Sequence, residues 1–327
     1  MNITIIGGSG FIGTCLTTFL ITLGYNVKII DINKSKKYPS LWIFGNVCQI
    51  ETLNKISNST DILINLAAEH RDDITPKSLY DDVNVNGAKN ICKVCTKLGI
   101  KKIIFTSSVA VYGFAPIGTN EKGKIDYYND YGRTKWLAEE EYRKWLISDP
   151  KNSLTIIRPT VVFGEQNRGN VYNLLKQIVN KKFLMVGNGK NIKSMAYIEN
   201  IVAFIKYNLN NRQGEHLYNY IDKPDLNMND LVTNINKLLG RSINLIHWPF
   251  IFGYLSGLCF DVLSFILNKK FTISSIRVKK FCSNTMFDSC NMERSKFKAP
   301  VSLIEGLRRT IQYEFINKIK DHEFYTE

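Results

Sequence analysis

The stretch ITIIGGSGFIG, residues 3–13, couples a short apolar run to glycines at Gly7, Gly10 and Gly13. It reads as a β-strand, a tight turn and the start of a helix whose amphipathic pattern runs on to residue 23. Glycines at these positions allow the turn, let backbone approach a ligand and let helix pack on strand. The amide groups of the helix start, at Phe11 and Ile12, can then hold a pyrophosphate. A second strand, residues 25–30, ends in Asp31, eighteen residues after Gly13. A carboxylate there accepts hydrogen bonds from an adenosine ribose and repels a 2′-phosphate, so NAD is expected rather than NADP.

Working outward, strand-like runs at 62–66, 102–106 and 154–158 alternate with helical patterns, as βαβ units do. The expectation is an α/β fold, a Rossmann-type doubly wound parallel sheet. The strands are Ile-rich and nearly continuous in hydrophobicity, as strands covered on both faces require. A dinucleotide-binding domain is expected over 1–160. Beyond it the alternation fades, and 161–327 reads mainly as a smaller substrate lobe with returns to the main sheet, one of them at 197–205. Gly45, Asn46 and Val47 resemble the turn that places a side chain near an adenine edge, although a plain surface turn fits equally well. In NLAAEH, residues 65–70, the small Ala67 and Ala68 let backbone approach a cofactor. His70 in the same loop reads as structural.

FTSSVAVYG, residues 105–113, puts Ser108 at the carboxyl end of a strand, where ligands of open α/β sheets bind. Twenty-three residues later comes YGRTK, with Tyr131 and Lys135 four apart and therefore on one helix face. An ammonium beside a phenol favours the phenolate, lowering the phenol toward the range of a general base. Lys135 is also placed to bond a nicotinamide ribose, and Ser108 the substrate hydroxyl. A Tyr–Lys pair alone is as often a surface pair; agreement with the glycine turn, Asp31 and Ser108 selects catalysis.

On these motifs the chain resembles an extended short-chain dehydrogenase/reductase of the sugar epimerase/dehydratase family. The resemblance implies a Ser108, Tyr131, Lys135 catalytic set and a cofactor-contacting Asn84 in VNVNG. Family dehydratases carry an Asp-Glu pair just after the strand-end residue; Val109 and Ala110 stand there, so epimerisation remains and dehydration loses its acid and base. AAEHRDD (67–73), RGNVYNLLKQI (168–178), KSMAY (193–197), DKPDLNMN (222–229) and RVKKFC (277–282) look like the branch of that family that inverts C4 of N-acetylglucosamine on undecaprenyl diphosphate, in bacterial O-antigen pathways. What this implies is a lipid-linked diphosphate sugar as partner, interconversion of GlcNAc and GalNAc, and Arg168, Lys193 and Arg277 as diphosphate contacts, beside Lys279 and Lys280. Helices of this fold often pair, which is compatible with a homodimer.

The formal charge is +14, from 43 Lys plus Arg against 29 Asp plus Glu, and calls for an anionic partner. No nucleic-acid motif accompanies it, which leaves a diphosphate or an acidic lipid. Seven cysteines without regular spacing fit reduced thiols, and Cys92 and Cys95 fall in a helical pattern as buried residues, so no metal is expected. A working strand in the first residues replaces the basic flank and apolar core of a leader, so a cytoplasmic chain is expected. WPFIFGYLSGLCFDVLSFIL, residues 248–267, is the most apolar stretch, followed by Lys269, Lys270, Arg277, Lys279 and Lys280. It reads equally as a buried helical hairpin or as a segment lying in a membrane surface; the second predicts peripheral association with the cytoplasmic face of the inner membrane. Two other functions remain compatible with the sequence: a soluble UDP-glucose or UDP-GlcNAc 4-epimerase, and a non-catalytic NAD-binding partner protein.

Overall fold

The computed structural model describes all residues except 72–73, 243–244, 268–273, 320–321 and 326–327. Asp72, Asp73, Lys269 and Lys270 of the motifs above therefore lie outside the described residues. The strands are β1 (Asn2–Ile6), β2 (Asn26–Asp31), β3 (Trp42–Phe44), β4 (Ile62–Asn65), β5 (Lys102–Thr106), β6 (Ser153–Pro159), β7 (Val161–Phe163), β8 (Met185–Val186), β9 (Ile192–Tyr197), β10 (Gly214–Tyr220), β11 (Asp222–Asn227) and β12 (His247–Trp248). The α-helices are α1 (Phe11–Thr22), α2 (Ile50–Leu53), α3 (Ser78–Tyr80), α4 (Gly87–Leu98), α5 (Asp130–Ile147), α6 (Asn170–Val179), α7 (Ile198–Tyr207), α8 (Met228–Leu238), α9 (Phe250–Leu267), α10 (Ser275–Cys282), α11 (Cys290–Arg294) and α12 (Leu303–Ile311).

Seven strands form a parallel sheet in the order β3-β2-β1-β4-β5-β6-β10. The order reverses between β1 and β4, which opens a crevice at their carboxyl ends, where Ile6 pairs with Asn65. Both faces are covered. Leu16 and Leu20 of α1 with Ile201 and Phe204 of α7 pack on one side, and Ile91 and Cys95 of α4 with Ala138 and Tyr142 of α5 on the other. This burial explains the near-continuous apolar strands. The return to the main sheet differs from expectation: 198–207 is helical, packing against α1, and the strand that rejoins the sheet is β10. Apolar residues at 198, 201, 202, 204 and 205 recur at helical rather than alternating spacing.

The other departure is α9. Of its described residues only Gly253 and Gly257 are buried, so it is no core hairpin. Those glycines let α9 lie against the lobe: a Cβ on Gly253 would come within 2.5 Å of the Val186 side chain of β8, and one on Gly257 within 2.7 Å of the Ser275 amide nitrogen of α10. Asp261, the acid inside the apolar run, accepts the Ser275 amide at 3.1 Å. Ile251, Phe252, Leu255, Val262, Phe265 and Ile266 face outward, Phe265 at 89% exposure.

Candidate active site

The crevice at β1 and β4 is built for close backbone approach. Gly7 has φ +77°, and a Cβ there would sit 2.6 Å from the Ala67 nitrogen; one on Gly13 would sit 2.5 Å from the Gly7 carbonyl oxygen. Only glycine keeps this cradle open. Gly10 precedes α1 without a side-chain cap, which leaves first-turn amides for a ligand. Asp31 stands beside the cradle, accepting the Ser9 amide at 3.0 Å and the Asn33 amide at 2.9 Å. Burial raises its carboxyl and these amides oppose the rise. The residues present therefore fit a dinucleotide with a free 2′-hydroxyl. The Phe11 side chain is directed into the core, 5.9 Å from the Phe324 ring, so its part in the cradle is its backbone; Ile12 beside it is half-buried.

The remaining cofactor candidates divide. Ala67 lies against Gly7 and Ala68 follows it, half-buried, while His70 is exposed with its ring near the Ala68 carbonyl. Asn84 donates to the Glu69 carbonyl and the Thr134 hydroxyl, each at 2.9 Å, and accepts the Glu69 amide. It pins the β4 loop to α5, a positioning role. Asn46 accepts the Cys48 amide at 3.0 Å, closing its own turn, and Val47 is buried against Gly87.

Ser108 caps the short 3₁₀ turn Val109–Tyr112, its hydroxyl accepting the Ala110 amide at 3.1 Å, and it shares a hydrogen bond with the Tyr131 hydroxyl. Asn129 caps α5 and so fixes where Tyr131 and Lys135 emerge. The expected lowering of the Tyr131 phenol is not what the chain alone produces. Burial pushes it up to about 12, only partly opposed by Ser108. Lys135 is buried, donates to the Thr106 carbonyl at 2.6 Å and lies 4.6 Å from the Phe105 ring centroid; burial brings its ammonium down to about 7. Helical spacing placed the two side chains on one face but carried no information about the desolvation that dominates both.

Behind Lys135 lies a buried charge network that motif reading missed. Glu139, one turn further along α5, accepts Arg158 Nε at 2.8 Å and an Arg158 terminal nitrogen at 2.5 Å, the Ser107 hydroxyl at 2.5 Å and Arg143 at 3.1 Å. Arg158 also donates to the Tyr112 hydroxyl at 2.6 Å, which donates to Asn219 at 2.8 Å. Its sequence signal was an acid at the i+4 position from Lys135 on a buried face. The Glu139 charge favours the Lys135 ammonium against its desolvation.

Lys135 has a pH signature. Its ammonium titrates at 10.5 when solvated and at about 7 when folded, so between those values the unfolded chain holds more protons and stability rises with pH. In cofactor-stripped protein, the unfolding free energy measured by urea titration should climb between about pH 7 and about pH 9, and Lys135→Met should lose part of that climb. Parallel profiles for the two proteins would contradict this assignment.

The model of the NAD dependent epimerase/dehydratase family matches residues 3–220. This chain belongs to that family. It is 51% identical over 322 residues, 98% of this chain and 97% of the relative, to the N-acetyl-alpha-D-glucosaminyl-diphospho-ditrans,octacis-undecaprenol 4-epimerase of Escherichia coli O157:H7. It is 33% identical over 61% of its length, and 55% of the relative's, to the human decarboxylating sterol-4-alpha-carboxylate 3-dehydrogenase. Among solved structures, the Thermotoga maritima UDP-glucose 4-epimerase with UDP-glucose superposes with a TM-score of 0.76 at 19% identity, covering 97% of this chain and 99% of that one. The Bacillus cereus UDP-glucuronic acid 4-epimerase in complex with NAD gives 0.75 at 19% identity, covering 98% and 100%. At such identities the structures speak for the fold.

Within this epimerase/dehydratase fold the three substrate candidates part company. Arg168 pairs with Glu314 and Glu323, each at 2.6 Å, and lies over the Tyr172 ring, clamping the C-terminal segment. Lys193 donates to the Lys280 and Ser283 carbonyls at 3.0 and 2.7 Å, closing the C-terminus of α10, and burial lowers its ammonium to about 8. Both are structural ties here rather than groups presented to a diphosphate. Arg277 is exposed on α10. Cys92 and Cys95 lie in α4, where burial pushes both thiols up, away from a reactive thiolate.

Proposed function

We propose that the chain is an NAD-dependent 4-epimerase that interconverts GlcNAc and GalNAc carried on undecaprenyl diphosphate, working at the cytoplasmic face of the membrane. The observation that carries the reading is the 51% identity to the undecaprenol-linked 4-epimerase, which extends over 98% of the chain and so takes in the lobe with α9. In this reading Tyr131 takes the proton of the sugar 4-hydroxyl, and Ser108 hydrogen-bonds the same oxygen. Bound NAD supplies the hydride acceptor and later the donor at C4. The 4-keto sugar turns between the two half-reactions and Tyr131 returns the proton, so no external reductant is consumed. A lone phenolate is penalised by burial, as is the Lys135 ammonium, and Glu139 supports the positive charge. No acidic pair follows Ser108, since Val109 and Ala110 begin the 3₁₀ turn, which favours epimerisation over dehydration.

The outward apolar face of α9 supports membrane association. Its 18 residues are long and apolar enough to span by length and composition, but Gly253 and Gly257 seat the helix along the lobe, which favours lying in the interface. The deciding experiment incubates the protein separately with UDP-GlcNAc and with a polyprenyl-diphosphate-linked GlcNAc, and identifies the sugar after mild acid release. GalNAc is expected from the lipid-linked substrate, with NAD extracted from the protein and no reductant consumed. Turnover of UDP-sugars alone, or NADP as the retained cofactor, would overturn the reading.

A further inference from the structure

The buried network behind Lys135 does not end at Arg158; it meets the turn Val109–Tyr112 at both ends. At the start, Ser107 beside the Ser108 cap gives its hydroxyl to Glu139 at 2.5 Å. At the end, Tyr112 is 1% exposed, and its hydroxyl accepts an Arg158 terminal nitrogen at 2.6 Å and donates to Asn219 Oδ1 at 2.8 Å. Asn219, buried on β10, passes the tie on. Its side-chain amide donates to the Asp288 carbonyl at 2.9 Å, and its backbone amide donates at 3.0 Å to Glu121, the carboxylate that also accepts the Ser289 hydroxyl at 2.6 Å. Residues 283–289 lead out of α10 and are stitched to β9, the Thr285 amide on the Ile192 carbonyl at 2.9 Å and the Phe287 amide on the Ser194 hydroxyl at 3.1 Å. The Phe287 ring packs on the Tyr112 ring, centroids 5.7 Å apart.

A buried ring fills space as well without its hydroxyl, and a buried hydroxyl destabilises unless its hydrogen bonds are made, as both are here. Its place in the fold says what the tie holds. The turn that Tyr112 ends begins at Ser108, the partner of Tyr131, and a Cβ on Gly132, next to Tyr131, would run into the Ala110 carbonyl in the middle of that turn. The turn is therefore wedged between the start of α5 and the Tyr112 anchor. We propose that Tyr112 is a positioning residue for epimerisation: its hydroxyl joins the Arg158–Glu139 pair and, through Asn219, the run 283–289 to the turn that presents Ser108 to Tyr131 and to the sugar hydroxyl. The inference rests on the roles proposed above for Ser108 and Tyr131 and is independent of what carries the sugar. A displacement of about 1 Å at reacting groups can lower a rate by about a hundredfold, so one buried hydrogen bond is enough to register in turnover. Residues that follow α10 thereby help to align the acid–base pair from outside the seven-stranded sheet.

The test compares NAD-loaded wild type, Tyr112→Phe, Ser108→Ala and the double variant on UDP-linked and lipid-linked GlcNAc; turnover of either carrier serves. Tyr112→Phe should lower kcat by about tenfold, with KM within about twofold and NAD content unchanged. In the Ser108→Ala background the same change should alter kcat by less than about twofold, because a residue that acts through Ser108 has nothing left to position. Asn219→Ser releases the hydroxyl from the other side without touching Arg158; it should follow the same pattern, and it decides the question if the phenylalanine variant does not fold. Equal losses in the two backgrounds, the mark of a purely structural role, would overturn the proposal, as would a loss carried by KM or a kcat within about twofold of wild type. If the wild type epimerises neither sugar, the proposed function falls alone. The crystal structure of NAD-loaded Tyr112→Phe then judges the positioning: Ser108 out of hydrogen-bond reach of Tyr131 is expected, and an unmoved turn with that bond intact overturns the proposal.

Discussion

Tyr131→Phe should reduce epimerase turnover by about a hundredfold to ten-thousandfold, the usual cost of deleting a general base, while the purified variant still carries its NAD. The substitution removes one hydroxyl whose partner is Ser108, and leaves α5, its Asn129 cap and the glycine cradle untouched. Ser108→Ala should do less, because the phenol keeps its acid–base role and loses only a hydrogen bond. Rate at saturating substrate, read beside the absorbance of extracted cofactor, checks both. Near-normal turnover in Tyr131→Phe would remove this tyrosine from the chemistry, and loss of NAD along with activity would point to a disturbed fold.

The second large effect concerns α9. Replacing Phe252, Leu255 and Phe265 by Ser should shift the protein from the membrane fraction to the supernatant and lower turnover of lipid-linked sugar. These side chains are 59%, 51% and 89% exposed, so the folded chain loses little packing. Exposed substitutions of this kind usually change stability by less than about 0.5 kcal/mol. Transfer of a large apolar side chain into an apolar phase is worth roughly 1.5–3 kcal/mol, so even half-depth insertion of three makes a difference of more than about tenfold in partitioning. Sedimentation with vesicles containing anionic lipid, with NAD content and thermal unfolding as controls, measures it. Equal sedimentation of variant and wild type would show that α9 is not the contact. Wild-type protein that never sediments would exclude the membrane reading altogether.

The sequence alone determined the sheet and its ligand crevice because both depend on local rules. An apolar run before spaced glycines, followed by an amphipathic run and a second strand ending in an acid, reads as strand, turn and helix within one βαβ unit. Ser108, Tyr131 and Lys135 were legible for the same reason, since a strand end and an i, i+4 pair are local positions. What the tertiary structure decided are the long-range quantities. Burial turned the expected lowering of Tyr131 into a rise, and Glu139 became the partner of Arg158 across the fold. Arg168 and Lys193 were drawn into internal ties, whereas Lys279 and Lys280 came to rest over the Phe114 and Tyr128 rings. Residues 248–267 show the limit most clearly. Composition set how apolar the segment is, but whether it lay inside or outside depended on glycines that seat it on Val186 and Ser275, contacts with elements outside the segment itself. Charge and desolvation are sums over neighbours in space, and a linear pattern specifies only the neighbours in sequence.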